Sequence, residues 1–312
     1  MYKGSFLLSF YAETPVHMGA GSSVSYVDLP VQRERHTSFP VLWGSGIKGV
    51  LRNFAYRKWL EEYEKQEDNK NNIDKNIVCE KVNTIFGPED GGEEYSSCIS
   101  ITDAKILLYP VRSVRGVFAW ITCPFVLKRF LEDLKAIKKD INISDITILD
   151  ESKIIISKDS KLKIENQNKV ALEEFVFNTE EKELNNLISF FEKVFPQNNP
   201  FKEDLEKHLA IVSDNVFKDF VNYAVEIRTR IRIDQAKGTV KEKALFSEEL
   251  IPSESIFYSL VFISEPKKNN INFEEVKKLL TQSLFKEDPL IQFGGDETTG
   301  KGFFRVKLFD NK

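Results

Sequence analysis

Residues 5–59 read SFLLSFYAETPVHMGAGSSVSYVDLPVQRERHTSFPVLWGSGIKGVLRNFAYRKW, and this stretch decides the fold class. Its first nine residues, SFLLSFYAE, are too apolar for a strand with one wet face, so they predict a buried strand. The last fifteen predict a helix. Ile47, Leu51, Phe54, Ala55 and Trp59 recur at helical spacing on one face, with Ser45 as the expected N-cap. Between them runs a Gly- and Ser-rich segment, 14–44, without helical period. A loop of that length inside a compact domain points to function.

Working outward, CISITDAKILLYPV (98–111) and 117–122 predict two further strands, and 125–138 an amphipathic helix. Residues 255–264 predict a strand and 272–285 a helix capped by Asn272. A Gly-rich loop, 290–303, leads into a last strand. Strand, helix, strand, strand, helix, strand is the order of an α+β protein built on ferredoxin-like (RRM-like) βαββαβ units that carry insertions. Two segments read as insertions: an acidic, polar, mobile one at 60–97 and a mixed one at 140–210. The expectation is one domain over 1–312 rather than two.

Residues 225–233 alternate strictly. Val225, Ile227, Thr229, Ile231 and Ile233 share one face; Glu226, Arg228, Arg230 and Arg232 share the other. With a turn at Lys237–Gly238, the segment 225–250 predicts a β-hairpin arm with a charged face. That face suits a polyanion; its other reading is an edge strand protected by charge.

The formal net charge of −4 argues against a uniformly basic nucleic-acid binder, but the charge is segregated. Residues 28–58 hold six Lys/Arg against two acids, 226–243 six against three, and 61–94 eleven acids against four Lys. Such segregation steers a polyanion more than the sum does. The three cysteines, Cys79, Cys98 and Cys123, lack metal or disulfide spacing and predict reduced thiols in a cytoplasmic protein. No run of 18 apolar residues is present, so no membrane partner is expected.

Four constellations carry candidate chemistry. In GGDETTGKG, Gly294, Gly295, Gly300 and Gly302 permit close backbone approach to phosphate, and Lys301 adds a cation. It is not a Walker loop, because Gly302 stands where Ser or Thr is needed. Its plainer reading is a turn before an edge strand. In WGSGIKGVLR, a Gly/Ser loop opens a helix, an anion site by geometry, with Lys48 and Arg52 one turn apart; a capped surface helix is the alternative. Asp28, beside Leu29–Pro30, either shapes a turn or holds a divalent cation near a scissile phosphate. His17 and His36 share its loop and are candidates for acid–base work or phosphate contact, or are ordinary hydrogen-bonding residues.

GAGSSVSYVDLPVQRERHTSFPVLWGSGIKGVLR, with FGGDETTGKGFFRV far downstream, resembles the RAMP superfamily. VDLPVQRERHTSFP and IVSDNVFKDFVNYAVEIRTRIRIDQAKGTVKEKALFSEEL are similar to the Cmr-type backbone subunits of type III-B CRISPR effector complexes. The resemblance covers half to two-thirds of the chain and is weak over 65–94 and 140–209. It implies a ferredoxin-like palm, a hairpin thumb at 225–250, and copies stacked head to tail along a guide RNA beside other subunits of the complex. It further implies cleavage of complementary target RNA at regular intervals by 2′-hydroxyl attack. Asp28 falls on the family's cleavage aspartate, working with Mg²⁺ or Mn²⁺ shared with RNA phosphates. His17, Lys48 and Arg52 fall near RNA. Two other expectations stand beside this one: a catalytically silent backbone subunit, and a stand-alone endoribonuclease that processes CRISPR RNA with a histidine.

Overall fold

The structure is a computed structural model that describes residues 2–23, 26–66, 75–88, 95–139, 146–147, 150–197, 204–268 and 271–310, without the side chains of 66 and 242–244. In chain order it runs β1 (Gly4–Ala12), β2 (Val41–Leu42), α1 (Gly44–Gln66), α2 (Lys75–Phe86), β3 (Ile99–Ile101), β4 (Ala104–Arg112), β5 (Phe118–Thr122) and α3 (Pro124–Ala136). Then come β6 (Lys153–Ile156), β7 (Lys169–Leu172), β8 (Phe175–Glu181), α4 (Asn185–Val194), α5 (Leu205–His208), β9 (Leu209–Ile211) and α6 (Asp214–Tyr223). The chain closes with β10 (Glu226–Ile233), β11 (Val240–Leu250), β12 (Ile256–Ile263), α7 (Phe273–Lys278), β13 (Leu290–Gln292) and β14 (Phe303–Phe309).

The protein is mixed α+β, organised on one large mixed sheet. β1 is its centre. It pairs antiparallel with β12 on one side, Gly4 opposite Ile263 through Tyr11 opposite Ile256. On the other side it pairs antiparallel with β14, Leu7 opposite Phe309 through Ala12 opposite Phe304. Both faces are covered, which is why every residue from Phe6 to Ala12 is buried and the sequence does not alternate. β12 pairs antiparallel with β4, and the sheet continues β4–β5–β9–β6–β8–β7. The strands of 140–210 therefore extend the main sheet: β9 runs parallel to β5 and antiparallel to β6.

Helix α1 buries Ile47, Leu51, Ala55 and Trp59, the face its sequence predicts, and Trp59 Nε1 donates to Ser283 Oγ at 3.0 Å. Three local expectations need correction. The helix begins at Gly44, so Ser45 lies inside it rather than capping it. Asp103 accepts from the Gly44 N–H at 2.7 Å, and 98–111 is broken into two strands at Thr102–Asp103. The polar stretch after Trp59 does not end the helix: α1 continues to Gln66, and α2 buries Val78, Val82, Ile85 and Phe86 against the core. A polar sequence reads as loop only when the few apolar residues that anchor it go uncounted. The rest of 60–97, at 67–74 and 89–94, lies outside the described residues.

Asn272 caps α7 through a capping box with Glu275, as expected, and a π-helical turn at Leu279–Leu284 follows. Ser213 caps α6, its hydroxyl accepting from the Val216 N–H. β10 and β11 form a separate two-stranded ribbon, with Gly238 at positive φ in its turn. The apolar face of this ribbon is not buried: Ile227, Ile231, Ile233, Val240 and Leu245 are each at least half exposed. Cys79, Cys98 and Cys123 are all free thiols.

Candidate active site

The geometry around Asp28 is set by β11. Residues 28–31 lie along this strand as a short parallel neighbour, with Leu29 bridged to Glu248. The Leu29 N–H donates to the Ser247 carbonyl at 3.1 Å, and the Glu249 N–H donates back to the Leu29 carbonyl at 3.0 Å. Within that frame the Asp28 carboxylate is exposed yet fixed. Its Oδ2 accepts from the Ser247 N–H at 2.7 Å and from the Ser247 hydroxyl at 2.9 Å. The Asp28 N–H in turn meets Ser247 Oγ at 3.0 Å. These bonds, the backbone one first, hold the Asp28 carboxyl below the usual aspartate value. Tyr26, two residues earlier, is fully exposed.

The next two residues of β11 anchor the root of the ribbon. Glu249 is buried; its Oε2 accepts from the Val31 N–H and its Oε1 from Arg33 Nη2 at 2.5 Å. Arg33 also reaches the carbonyls of Ser38 and Val221, so the Asp28 loop is tied to α6. Glu248 points the other way. Arg230 donates to its Oε2 at 3.2 Å and to Asp296 Oδ1 at 2.5 Å. Burial, and then Asp296 beside it, push the Glu248 carboxyl up; the hydrogen bond from Glu248 holds Asp296 down.

His17 is buried against the same strand. Its Nδ1 lies 2.9 Å from the Glu249 carbonyl, which makes Nδ1 the protonated nitrogen, and 3.6 Å from Glu248 Oε1. Its own carbonyl accepts from the Gly295 N–H at 2.9 Å. Asp28, His17, Arg230 and the Gly-rich loop thus converge on three consecutive residues, Ser247, Glu248 and Glu249. None of the three was singled out from the sequence. A Ser-Glu-Glu run in a charged hairpin carries no signal of its own until the pairing partner is known.

Other predicted residues lie elsewhere or are committed to structure. Arg52 donates to the Gly87 carbonyl and, at 2.6 Å, to Asn83 Oδ1, which ties α1 to α2. The first N–H of α1 is taken by Asp103, so the anion site expected there holds a carboxylate of the chain itself. Lys48 is half-buried, and its pKa is lowered first by that burial. His36 sits exposed in a turn whose neighbour Glu34 accepts from Arg129 at 2.7 Å. Arg228 pairs with Glu226 at 2.6 Å, and Arg230 is the clamp just described.

The glycine loop serves packing. The N–H groups of Gly295, Gly300 and Gly302 donate to the carbonyls of His17, Glu297 and Pro15, so they face inward rather than toward a phosphate. A Cβ on Gly294 would lie 2.4 Å from the His17 carbonyl oxygen, and one on Gly302 2.0 Å from that of Phe293. Lys301 lies at the surface side of this loop, with Nζ 3.4 Å from the Thr299 carbonyl.

Among the described residues no group of three or more His, Cys, Asp or Glu is arranged to hold a metal ion. Asp28 offers hard carboxylate oxygen, which fits Mg²⁺ or Mn²⁺, but as one ligand of several. Among the described residues, no helix is long and apolar enough to cross a membrane.

A family profile described as the RAMP superfamily matches residues 9–305. The CRISPR system Cmr endoribonuclease Cmr4 of Pyrococcus furiosus is 38% identical over 97% of this chain and 95% of its own length. The CRISPR system CMR subunit Cmr4 of Saccharolobus solfataricus is 24% identical, with 98% of each chain covered. The crystal structure of oligomeric Cmr4 from Pyrococcus furiosus superposes with a TM-score of 0.72 at 33% identity, covering 99% of this chain and 98% of that one. The chain belongs to the RAMP superfamily.

Proposed function

We propose that this chain is the target-cleaving backbone subunit of a type III-B CRISPR effector complex. It binds guide RNA and cuts complementary target RNA at regular intervals. Near-full-length similarity to a Cmr endoribonuclease supports the activity. The observation that carries the site is the Asp28 carboxylate, exposed and fixed by Ser247 at the base of the ribbon.

β1, α1, β4, β12, α7 and β14 are read as a ferredoxin-like palm. Support comes from the strand order β14–β1–β12–β4, in which every neighbouring pair is antiparallel. The ribbon is read as the thumb. Ile231, Ile233, Val240 and Leu245 give it an exposed apolar face that can wedge between bases and splay one target nucleotide. Specificity then belongs to the guide, since base pairing reads the sequence. Copies stack head to tail along the guide, in contact with the other subunits.

The reaction is in-line attack of a ribose 2′-oxygen on the adjacent phosphorus. The 2′-oxygen forms a bond to phosphorus, the bond to the 5′-oxygen breaks, and the 2′-proton leaves while the 5′-oxygen gains one. A helical stack forbids this alignment and a splayed nucleotide allows it. Asp28 is read as the carboxylate that orients the 2′-hydroxyl and would help RNA phosphates hold a divalent cation, a reading supported by its fixed, exposed position. Such an ion, Mg²⁺ or Mn²⁺, would lower the pKa of a coordinated hydroxyl and offset charge on the phosphate. His17 fits positioning better than proton transfer, because its ring is buried and its Nδ1 is hydrogen-bonded to the Glu249 carbonyl. This weighs against a histidine-driven stand-alone nuclease.

The test is target cleavage by the complex reassembled with guide RNA, in Mg²⁺ or EDTA, for wild type and Asp28→Ala. Evenly spaced cuts that vanish with EDTA or Asp28→Ala, with target binding retained, are expected. Equal cutting by both proteins removes Asp28 from the chemistry. No cutting by wild type leaves a silent backbone subunit.

A further inference from the structure

Ser247 donates twice to one oxygen of the Asp28 carboxylate. Its N–H and hydroxyl both go to Oδ2, and the Asp28 N–H returns to Ser247 Oγ. An exposed aspartate ordinarily rotates freely about two torsions; this one is held through Oδ2, and Oδ1 takes no part in the Ser247 bonds.

The position of Ser247 along the ribbon adds a second observation. Below it, Glu248, Glu249 and Leu250 are buried. Above it, Leu245 is 66% exposed, and on the facing strand Ile231 is 50% exposed. Ser247, paired with Thr229, therefore lies where the ribbon leaves the body of the protein, one pair inside Arg230, which still reaches Asp296.

We propose that Ser247 is a positioning residue for cleavage: it aims Oδ1 of Asp28 at the target strand and registers that carboxylate to the projecting ribbon. This rests on the reading of Asp28 as the cleavage residue. A nucleotide displaced by the ribbon and the carboxylate that acts beside it then share one rigid reference. Loading RNA on the arm fixes the distance between them without any movement of the loop. The backbone donor survives any substitution except proline, so the hydroxyl can be removed alone.

The charged groups around the pair are accounted for. Glu249 is held by Arg33 and the Val31 N–H. Glu248 faces Arg230, Asp296 and His17 on the other side of the strand. Changes at Ser247 thus report on Asp28.

The experiment uses the complex assembled with guide RNA and a labelled complementary target, under single-turnover conditions, for wild type, Ser247→Ala, Ser247→Thr and Asp28→Ala. Loss of one hydrogen bond to a charged group predicts cleavage about five- to thirty-fold slower for Ser247→Ala. Target affinity should be unchanged, and Ser247→Thr, which keeps the hydroxyl, should restore most of the rate. A second readout is independent of activity. In the full chain labelled with ¹³C-carboxyl aspartate, the Asp28 titration should move up toward the ordinary aspartate value in Ser247→Ala and stay low in Ser247→Thr. Wild-type cleavage by Ser247→Ala beside an inactive Asp28→Ala overturns the role of Ser247 alone. An active Asp28→Ala overturns the reading beneath it. A loss that Ser247→Thr does not repair, or one matched by lost target binding, makes Ser247 merely structural.

Discussion

Glu248 on β11 and Asp296 in the Gly-rich loop face one another across the root of the ribbon, and Arg230 donates to both carboxyl groups. Two carboxylates so close share a proton, and Arg230 stabilises the one negative charge that remains. The pair therefore joins the ribbon to the loop after β13. Its protonation state bears on how firmly the ribbon is rooted.

The sign of the pH effect follows from Glu248. Its folded pKa is raised, by burial first. A raised carboxyl contributes stability that is fully present below the unfolded value, about 4.5, and is lost as pH rises through the folded value. The melting temperature of wild type should therefore fall across that window. Glu248→Gln, which stays neutral and keeps a side chain of the same size, should fall less. Thermal unfolding of both proteins from pH 4 to pH 9 measures this. Parallel curves would mean that the two carboxyls do not share a proton.

Gly300 and Gly302 look alike in the sequence and differ in the fold. Both have positive φ, 75° and 76°. A Cβ at Gly300 meets nothing within 4 Å, whereas one at Gly302 falls 2.0 Å from the Phe293 carbonyl oxygen. Gly300→Ala should cost about 1 kcal/mol, the backbone conformation alone. Gly302→Ala should cost more than about 3 kcal/mol, because β14 must shift away from β13. Urea unfolding of the two variants gives the comparison. Equal costs would mean that backbone conformation, not contact, decides both.

Lys48 and Arg52 are one turn apart on α1 and separate in role. Arg52 is bound to Gly87 and Asn83, so Arg52→Ala should lower the melting temperature by loosening α2. Lys48 is half-buried beside Cys98 and Arg52, its charge disfavoured by burial. Lys48→Ala should leave stability unchanged or higher. If Lys48 meets an RNA phosphate, that variant should also bind guide RNA more weakly, with a salt slope reduced by about one. Melting curves and salt-dependent RNA binding of the two variants separate these roles. A stability loss in Lys48→Ala equal to that in Arg52→Ala would contradict the division.

How much of this was legible beforehand depends on whether the cause is local. β1, the apolar face of α1, the cap at Asn272 and the turn at Gly238 follow from short-range pattern, and the sequence announces each. The site was half legible. Asp28 stood out only through family resemblance, since one acid beside Leu–Pro is otherwise a turn residue. Ser247 is 219 positions away and was invisible, because its role exists only once β11 lies beside the loop. The glycine loop is ambiguous for the same reason. Four glycines signal close approach, but composition does not say whether the approaching group is a phosphate or, as at Gly294, the His17 carbonyl.

Glu254 offers a last case where an unfavourable feature is predicted to be removable. It occupies the connection between β11 and β12 with φ at 71°, a conformation that L residues adopt at a cost. Its N–H donates to the Ala12 carbonyl at 2.7 Å and its carbonyl accepts from Trp120 Nε1 at 2.8 Å, so the backbone cannot relax. Its Oε2 is buried without a hydrogen-bond partner, and burial alone pushes the carboxyl up to about 7. Below pH 4.5 the group is neutral in folded and unfolded chains alike. Between pH 4.5 and 7 the unfolded chain ionises first, so the folded state loses ground as pH rises, and the full penalty stands above pH 7. Glu254→Gly removes both the charge and the strained φ, leaving the two backbone bonds in place. Its melting temperature should exceed that of wild type by several degrees at pH 8, about the shift expected for a gain of one to two kcal/mol. At pH 4.5 the gain should shrink to the conformational part. Calorimetry at the two pH values decides the matter. An equal gain at both would assign the whole effect to φ, and a loss at both would mean that the side chain packs better than its orphaned oxygen implies.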